Sequence, residues 1–112
     1  EPFKDQWAFP GGFMNMNETL MEAAIRELKE ETSIDLIKLG YEIFSITYFD
    51  KIDRDPRGRV ISHIFLASVG SEVEAKAADN ATKISWFSRE EIKKLNLAFD
   101  HLEIFQKLFF SE

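Results

Sequence analysis

The stretch GFMNMNETLMEAAIRELKEETSI, residues 12–34, contains the pattern that decides both the fold and the chemistry of this chain. After its first residue it has no glycine or proline, and apolar residues recur along it at the spacing of one helix face. Asn17 is a residue type that caps helix N-termini, and Glu18 carries the negative charge that a helix start favours. The stretch therefore predicts a helix capped by Asn17.

Three glutamates of this predicted helix, Glu27, Glu30 and Glu31, stand at i, i+3 and i+4, so their carboxylates project from one face. Like charges at i, i+4 destabilise a helix by roughly 0.2–0.5 kcal/mol per pair, and the helix dipole disfavours anions in the last turn. Two interpretations remain open. The face is either a solvated surface with partial relief from Arg26 and Lys29, or a site where a divalent cation supplies the missing positive charge.

The turn before the helix favours the cation. Pro10, Gly11 and Gly12 allow the backbone to adopt positive φ and to approach a ligand closely. Their carbonyl oxygens could then bind a hard cation beside the carboxylates.

The spacing of these residues resembles the Nudix hydrolase box. The full series is Gly12-x5-Glu18-x7-Arg26-Glu27-Leu28-x-Glu30-Glu31-x-Ser33-Ile34. Ser33 occupies the position of the last glycine of the box, which takes the left-handed conformation at the helix C-terminus. A serine there should cost on the order of 1 kcal/mol, but it removes no metal ligand.

The resemblance implies an α/β fold, the Nudix-type α/β/α sandwich, with a mixed sheet flanked by the box helix and the C-terminal helix. Residues 1–112 would form a single Nudix domain. Because the chain starts at Glu1 and soon reaches Gly12, we expect one or more N-terminal strands of this fold to be missing upstream.

A divalent metal is also implied by the resemblance, namely Mg²⁺, with Mn²⁺ as an alternative. The metal ligands would be Glu27 and Glu31, with Glu30 assisting and the Gly11 carbonyl as a backbone ligand. Catalytic roles are implied for Glu27, Glu30, Arg26 and Glu18. Arg26 would orient and partly neutralise the glutamates, and Glu18 would act through water or as a brace.

The general base stays open between Glu27, Glu30 and an acid of a downstream loop. Residues 78–81, Ala-Asp-Asn-Ala, stand where related proteins have a Gly-Asp-Asp-Ala-like segment, so one acid is replaced by Asn80. An amide cannot accept a proton at neutral pH. The acids left for this role are Asp79, Glu74 and Glu72.

Residues 54–59, Arg-Asp-Pro-Arg-Gly-Arg, form a second informative stretch. Alone, it could be an ordinary turn. Together with Ala-Phe-Asp-His at 98–101, it resembles the ADP-ribose pyrophosphatase branch of the Nudix family, in which an arginine fork would grip phosphate. The implied substrate-binding residues are Arg54, Arg57, Arg59, Phe99 and His101. Which arginine faces substrate stays open, since one could pair with Asp53 or Asp55, and His101 could instead support the sheet.

The remaining patterns predict three strands and two helices. Residues 41–49 and 60–69 should pair as a hairpin, and residues 83–87 should form a short strand. Ser88 and Asp100 each precede a glutamate by three positions, which is a capping-box pattern opening a helix. His63 lies within a predicted strand and is interpreted as structural.

Composition limits the class of protein. The chain has 112 residues, 45% of them hydrophobic, which is enough for one domain with a core. It has no cysteine and no apolar run long enough for a membrane span, so we expect a cytoplasmic protein without a membrane partner. The net charge of −6 argues against a nucleic-acid partner.

The leading functional hypothesis is hydrolysis of a nucleoside diphosphate derivative, with ADP-ribose cleaved to AMP and ribose 5-phosphate. One alternative is a Nudix hydrolase for another nucleotide, such as an oxidised nucleoside triphosphate or a dinucleotide. The other is a non-catalytic Nudix domain that senses ADP-ribose, as in regulators of NAD synthesis. A homodimer is expected from the resemblance alone.

Overall fold

The computed structural model of the chain describes residues 6–76, 83–95, 97 and 100–109. They fall into two units, which are treated separately. The glutamate unit draws on residues 10–49 and 62–85, and the arginine unit draws on residues 1–9, 50–61 and 86–112. Helices and an antiparallel strand pair make up the regular structure of the described residues, in agreement with an α/β class. No helix in this part of the chain is long and apolar enough to cross a membrane.

Helix α1 spans Leu20–Thr32 in the glutamate unit and is capped by Thr19. The Thr19 hydroxyl accepts a hydrogen bond from the Glu22 N–H at 3.1 Å, and the Glu22 carboxylate accepts one from the Thr19 N–H at 2.8 Å. The predicted cap at Asn17 is therefore wrong. Threonine followed three residues later by glutamate forms a reciprocal capping box, which satisfies two N–H groups where an asparagine cap satisfies one.

The C-terminus of α1 has the left-handed residue that the box spacing predicts. Ser33 adopts φ 69° and ψ 8°, and its N–H donates to the Lys29 carbonyl at 2.9 Å. Among the described residues, Ser33 is the one residue other than glycine with positive φ. The conformation costs about 1–2 kcal/mol for a residue with a Cβ.

Helix α2 spans Leu36–Leu39 and turns the chain towards the sheet. The Asp35 side chain caps it by accepting from the Lys38 N–H at 3.2 Å, and Gly40 ends it with φ 81°. Leu36 is 1% exposed and lies in the small core of the glutamate unit with Ala23 and Ile34, which are also buried.

The predicted hairpin is confirmed, with shorter strands. Strand β1 spans Phe44–Phe49 and pairs antiparallel with strand β2, Ser62–Leu66. The register shifts between Ser45 and Thr47, as at a β-bulge. Three large side chains of β1 are exposed, those of Phe44, Ile46 and Tyr48.

The arginine unit contains helices α3, Arg89–Ile92, and α4, His101–Phe109. The predicted capping box at Ser88 is confirmed: its hydroxyl accepts from the Glu91 N–H at 3.1 Å, and the Glu91 carboxylate accepts from the Ser88 N–H at 2.8 Å. Ile104 and Phe105 of α4 are buried.

Residues 83–87 form no strand, so that prediction is wrong. The sheet of the described residues consists of β1 and β2, and neither strand includes residues 83–87. The nearby Phe87 ring instead meets the Trp7 ring edge-on, with centroids 4.9 Å apart. Trp7 also forms an isolated parallel bridge with Leu97.

Candidate active site

Arg26, in the second turn of α1, holds the acidic side chains of the glutamate unit together. Its Nε and Nη2 donate to the Glu18 carboxylate at distances of 2.7 to 3.2 Å. Its Nη1 donates to both Glu27 and Glu30 at 3.2 Å, and its Nη2 also donates to the Phe13 carbonyl at 3.0 Å. One guanidinium therefore contacts three carboxylates and one backbone oxygen, which fixes the direction in which these acids point.

Glu18 lies outside the helix, although the sequence predicted it within the first turn. Its carboxylate accepts a hydrogen bond from the Asn15 N–H at 2.7 Å, which closes the turn that leads to Thr19. The hydrogen bond from Arg26, together with the one from Asn15, lowers the pKa of Glu18. Glu18 is therefore an ionised brace that ties the loop to the middle of α1.

Glu31 is the acid of this cluster whose electrostatic surroundings are least favourable. Burial, helped by the nearby charges of Glu27 and Glu30, raises the pKa of the Glu31 carboxyl to about 7. The Gly11 N–H opposes this rise by donating to Glu31 Oε1 at 3.0 Å. The carboxylate faces like charges that Arg26 does not neutralise in full, so a cation beside it would be favourable.

Gly12 leaves room for the Glu27 carboxylate beside the loop. A Cβ at Gly12 would overlap the Glu27 carboxylate, with its Cδ only 2.6 Å away. The first glycine of the box thus accommodates an acid from the middle of α1. Sequence analysis attributed this glycine to backbone conformation, whereas the structure adds a steric reason.

Arg26 pairs with Glu18, Glu27 and Glu30, while Glu31 is bound by the Gly11 N–H, so the cluster of four acids carries excess negative charge and offers only oxygen ligands. Hard cations such as Mg²⁺ and Mn²⁺ prefer this donor set. Within the described residues, no group of three or more His, Asp or Glu side chains is arranged to hold a metal ion. Mg²⁺ commonly uses one or two carboxylates and keeps several waters, so the pair Glu27 and Glu31 suits it without a full cage.

The predicted substrate residues lie in the arginine unit, and Arg54 has a structural partner there. Its Nε and Nη2 donate to the two carboxylate oxygens of Asp100 at 2.8 and 2.6 Å, and its side chain is only 3% exposed. The hydrogen bond to Asp100 raises the pKa of Arg54. Burial alone would raise the pKa of Asp100, but the hydrogen bond and charge of Arg54 outweigh it and lower that pKa.

Arg57 and Arg59 remain at the surface. The Arg57 side chain is 46% exposed and pairs with Asp55 at 2.7 Å, and its backbone N–H donates to Asp55 Oδ1 at 2.8 Å. The Asp55 side chain is 1% exposed, so it anchors the turn from inside. Arg59 donates to the Asp50 carbonyl at 2.8 Å, across the base of the same loop.

His101 is held by the start of the chain. Its Nδ1 accepts a hydrogen bond from the Phe9 N–H at 2.9 Å, and its ring stacks on the Phe9 ring with centroids 5.0 Å apart. An accepting Nδ1 places the proton of the neutral ring on Nε2. Burial lowers the pKa of His101, which keeps the ring neutral. Phe99 and residues 78–81 lie outside the described residues.

Sequence analysis missed one partner in the arginine unit. Asp100 appeared only as a helix cap, yet it forms a bidentate pair with Arg54. The alternative that an arginine pairs with Asp55 is confirmed for Arg57. The partner of Arg54 is 46 residues away in sequence, and no local pattern identifies such a pair.

Known proteins are similar to this chain over most of its length. A sequence model of the NUDIX domain matches residues 1–108. The chain is 44% identical over 105 residues to the ADP-ribose pyrophosphatase of Methanocaldococcus jannaschii, an alignment covering 92% of this chain and 57% of that protein. It is 32% identical over 110 residues to the ADPR responsive transcriptional repressor NtrR of Acinetobacter baylyi, covering 96% of this chain and 42% of the repressor. The chain thus spans about half the length of these curated relatives.

A solved structure shares the fold. It is the bifunctional NMN adenylyltransferase/ADP ribose pyrophosphatase of Francisella tularensis complexed with AMP and a manganese ion, with a TM-score of 0.82 and 38% sequence identity. The similarity covers 96% of this chain and 34% of that chain. From the domain match, the sequence identities and the shared fold, it follows that this chain belongs to the Nudix family.

Proposed function

We propose that this chain is a Mg²⁺-dependent Nudix hydrolase that cleaves the pyrophosphate of a nucleoside diphosphate derivative, with ADP-ribose as its substrate. Water would add across the pyrophosphate bond, giving AMP and ribose 5-phosphate. The observation that carries the proposal is the acidic cluster held by Arg26, in which the half-buried Glu31 faces Glu27 and Glu30. On a surface with only a structural role, repulsion between these carboxylates would destabilise the helix without any compensating effect.

Within this proposal, Glu27 and Glu31 hold the metal, Glu30 assists, and the Gly11 carbonyl is a backbone ligand. The contact between the Gly11 N–H and Glu31 supports the last assignment, since it brings this residue to the cluster. When bound, Mg²⁺ would neutralise charge on the pyrophosphate and lower the pKa of a water molecule. Arg26 and Glu18 keep the glutamates oriented, so that less rearrangement is needed for turnover.

The substrate class rests on relatives rather than on the acidic cluster. Two of the proteins compared carry ADP-ribose pyrophosphatase in their names, and one of them was solved with AMP and manganese. In the arginine unit, we assign the phosphate contact to Arg57, because its side chain is far more exposed than that of Arg54. The homodimer stays a prediction.

The direct test is hydrolysis of ADP-ribose with added Mg²⁺, with nucleoside triphosphates and dinucleotides as competing substrates and with products identified. Glu31→Gln should lower Mg²⁺-dependent turnover by at least about 100-fold, as for the loss of one preorganised electrostatic group. Glu22→Gln is a matched control, because it makes the same charge change in α1 and keeps the capping hydrogen bond.

Near-normal turnover by the Glu31→Gln variant would overturn the metal assignment. Hydrolysis of another nucleotide in preference to ADP-ribose would keep the site and change the substrate.

A second candidate is an ADP-ribose sensor, favoured by the 32% identity to a repressor described as ADPR responsive. The same assay separates the two candidates. ADP-ribose binding without release of AMP, measured by calorimetry, would favour the sensor.

A further inference from the structure

Ser33 makes a contact that a glycine at the same position could not make. Its hydroxyl donates to the Lys76 carbonyl at 3.1 Å, while the Lys76 N–H donates to the Thr32 carbonyl at 2.8 Å. Both backbone groups of Lys76 are thus bound to the two residues that end α1. The Thr32 carbonyl is one of the last-turn carbonyls that a helix leaves without an internal partner, so the contact also completes the helix.

The helix side of this contact is rigid. Thr32 is buried, its hydroxyl donates to the Leu28 carbonyl at 2.7 Å, and it accepts from the N–H of Ile34 at 3.2 Å. Ile34 is also buried. Lys76 is therefore held against a part of α1 that is itself fixed by packing and hydrogen bonds, one residue beyond Glu31.

The segment 70–76 is held at its other end as well. The Tyr41 hydroxyl accepts from the Gly70 N–H at 3.0 Å and donates to Glu72 Oε2 at 3.0 Å. A Cβ at Gly70 would overlap the Glu72 carboxylate in its present position, so a side chain there would displace this carboxylate. The segment carries the acids Glu72 and Glu74, and each of its ends is hydrogen-bonded to residues of the first part of the glutamate unit, Tyr41 at one end and Thr32 and Ser33 at the other.

We propose that Ser33 is a positioning residue for the hydrolytic reaction, because its hydroxyl fixes the acidic segment 70–76 at the glutamate end of α1. The inference rests on the proposed function. It also explains why a residue with a Cβ is kept at a left-handed position: the side chain forms a hydrogen bond in return for the conformational cost. Ser33 acts through Lys76 and touches no reacting atom.

Three variants separate positioning from simple stability. Ser33→Ala loses the hydroxyl and keeps the left-handed strain, whereas Ser33→Gly loses both. Ser33→Asn tolerates the left-handed conformation and offers an amide donor to the Lys76 carbonyl. We expect Ala and Gly to lower kcat on ADP-ribose by about fivefold, the value of one hydrogen bond, with KM within about twofold, and Asn to restore much of the rate.

Thermal unfolding of the same variants distinguishes an effect on stability from an effect on the reaction. Ser33→Gly should have a higher Tm than Ser33→Ala, because glycine lacks the left-handed strain. Its kcat should nevertheless be as low as that of Ser33→Ala. If kcat followed Tm across the three variants, the role would be structural and the inference would be overturned.

Amide hydrogen exchange tests the contact without substrate. In Ser33→Ala the Lys76 N–H should exchange about fivefold faster than in the unsubstituted chain, while amides in the middle of α1 keep their rates. Unchanged exchange at Lys76 would overturn the inference, whatever the enzyme hydrolyses. Failure of the unsubstituted chain to hydrolyse ADP-ribose would instead refute the proposed function, and the exchange result would then decide the inference on its own.

Discussion

At the level of single residues, the arginines of this chain differ in what surrounds each guanidinium. Arg26 is partly exposed and shared among three carboxylates, whereas Arg54 is buried and committed to Asp100. Arg57 keeps nearly half of its side chain at the surface. An arginine buried with one partner stabilises the fold, and an exposed one remains accessible to a ligand.

Conservative substitution of two arginines should therefore have different effects. Arg54→Lys breaks a bidentate buried pair and should lower the free energy of unfolding by about 3 kcal/mol, as measured by urea denaturation. Arg57→Lys keeps a positive charge beside Asp55, so stability should change by less than about 1 kcal/mol. Its KM for ADP-ribose should nevertheless rise severalfold, because lysine cannot form the planar fork. An unchanged KM would move the phosphate contact elsewhere.

At the level of the elements, helix α1 depends on its capping box. The box helix carries every acid assigned to the metal, and its first turn is fixed by Thr19 and Glu22. Charge repulsion near its C-terminus weakens it, so the caps at both ends offset a local cost. The caps thus stabilise the ends of the helix, while repulsion among the proposed metal ligands destabilises its last two turns.

Removal of the N-terminal cap should be measurable. Thr19→Ala should lower the free energy of unfolding by about 1 kcal/mol, and Thr19→Ser should retain most of it, because serine keeps the hydroxyl. Asn17→Ala is the matched control: Asn17 is exposed and outside the helix, and its substitution should change stability by less than about 0.5 kcal/mol. A larger loss from Asn17→Ala than from Thr19→Ala would contradict the observed cap.

For the whole molecule, the partly buried His101 makes stability depend on pH. The folded state holds the ring neutral with a pKa below 6.5, whereas the unfolded chain protonates it near its ordinary value. The unfolded state therefore binds more protons as the pH falls below about 6.5, and stability should decrease there. Protonation of Nδ1 would also remove the acceptor for the Phe9 N–H.

This decrease should be absent from His101→Asn, which keeps an acceptor oxygen near the position of Nδ1 but does not titrate. The measurement is the free energy of unfolding of both proteins between pH 7.5 and about pH 5.5, in the presence of a chelator. The two proteins must be compared because Glu31 affects the stability of both. Its pKa is raised, so its contribution to the free energy of unfolding is lost as the pH rises towards 7, which is opposite in sign to the effect of His101. Parallel pH profiles would show that His101 carries no such linkage.

Local spacing predicted much of the fold. The box helix, the left-handed residue at Ser33, the hairpin and the cap at Ser88 all depend on residues within a few positions of one another. Two local predictions were wrong: the capping box of Thr19, not Asn17, begins α1, and residues 83–87 have the composition of a strand but form none.

By itself, the sequence determined that acids would be crowded on one helix behind a glycine loop, because helical periodicity and glycine chemistry act over short distances. Only the tertiary structure decided the partners: Arg54 with Asp100, His101 with Phe9, and Ser33 with Lys76. These pairs join residues that are 46, 92 and 43 positions apart, and chain folding rather than local pattern sets which of them meet.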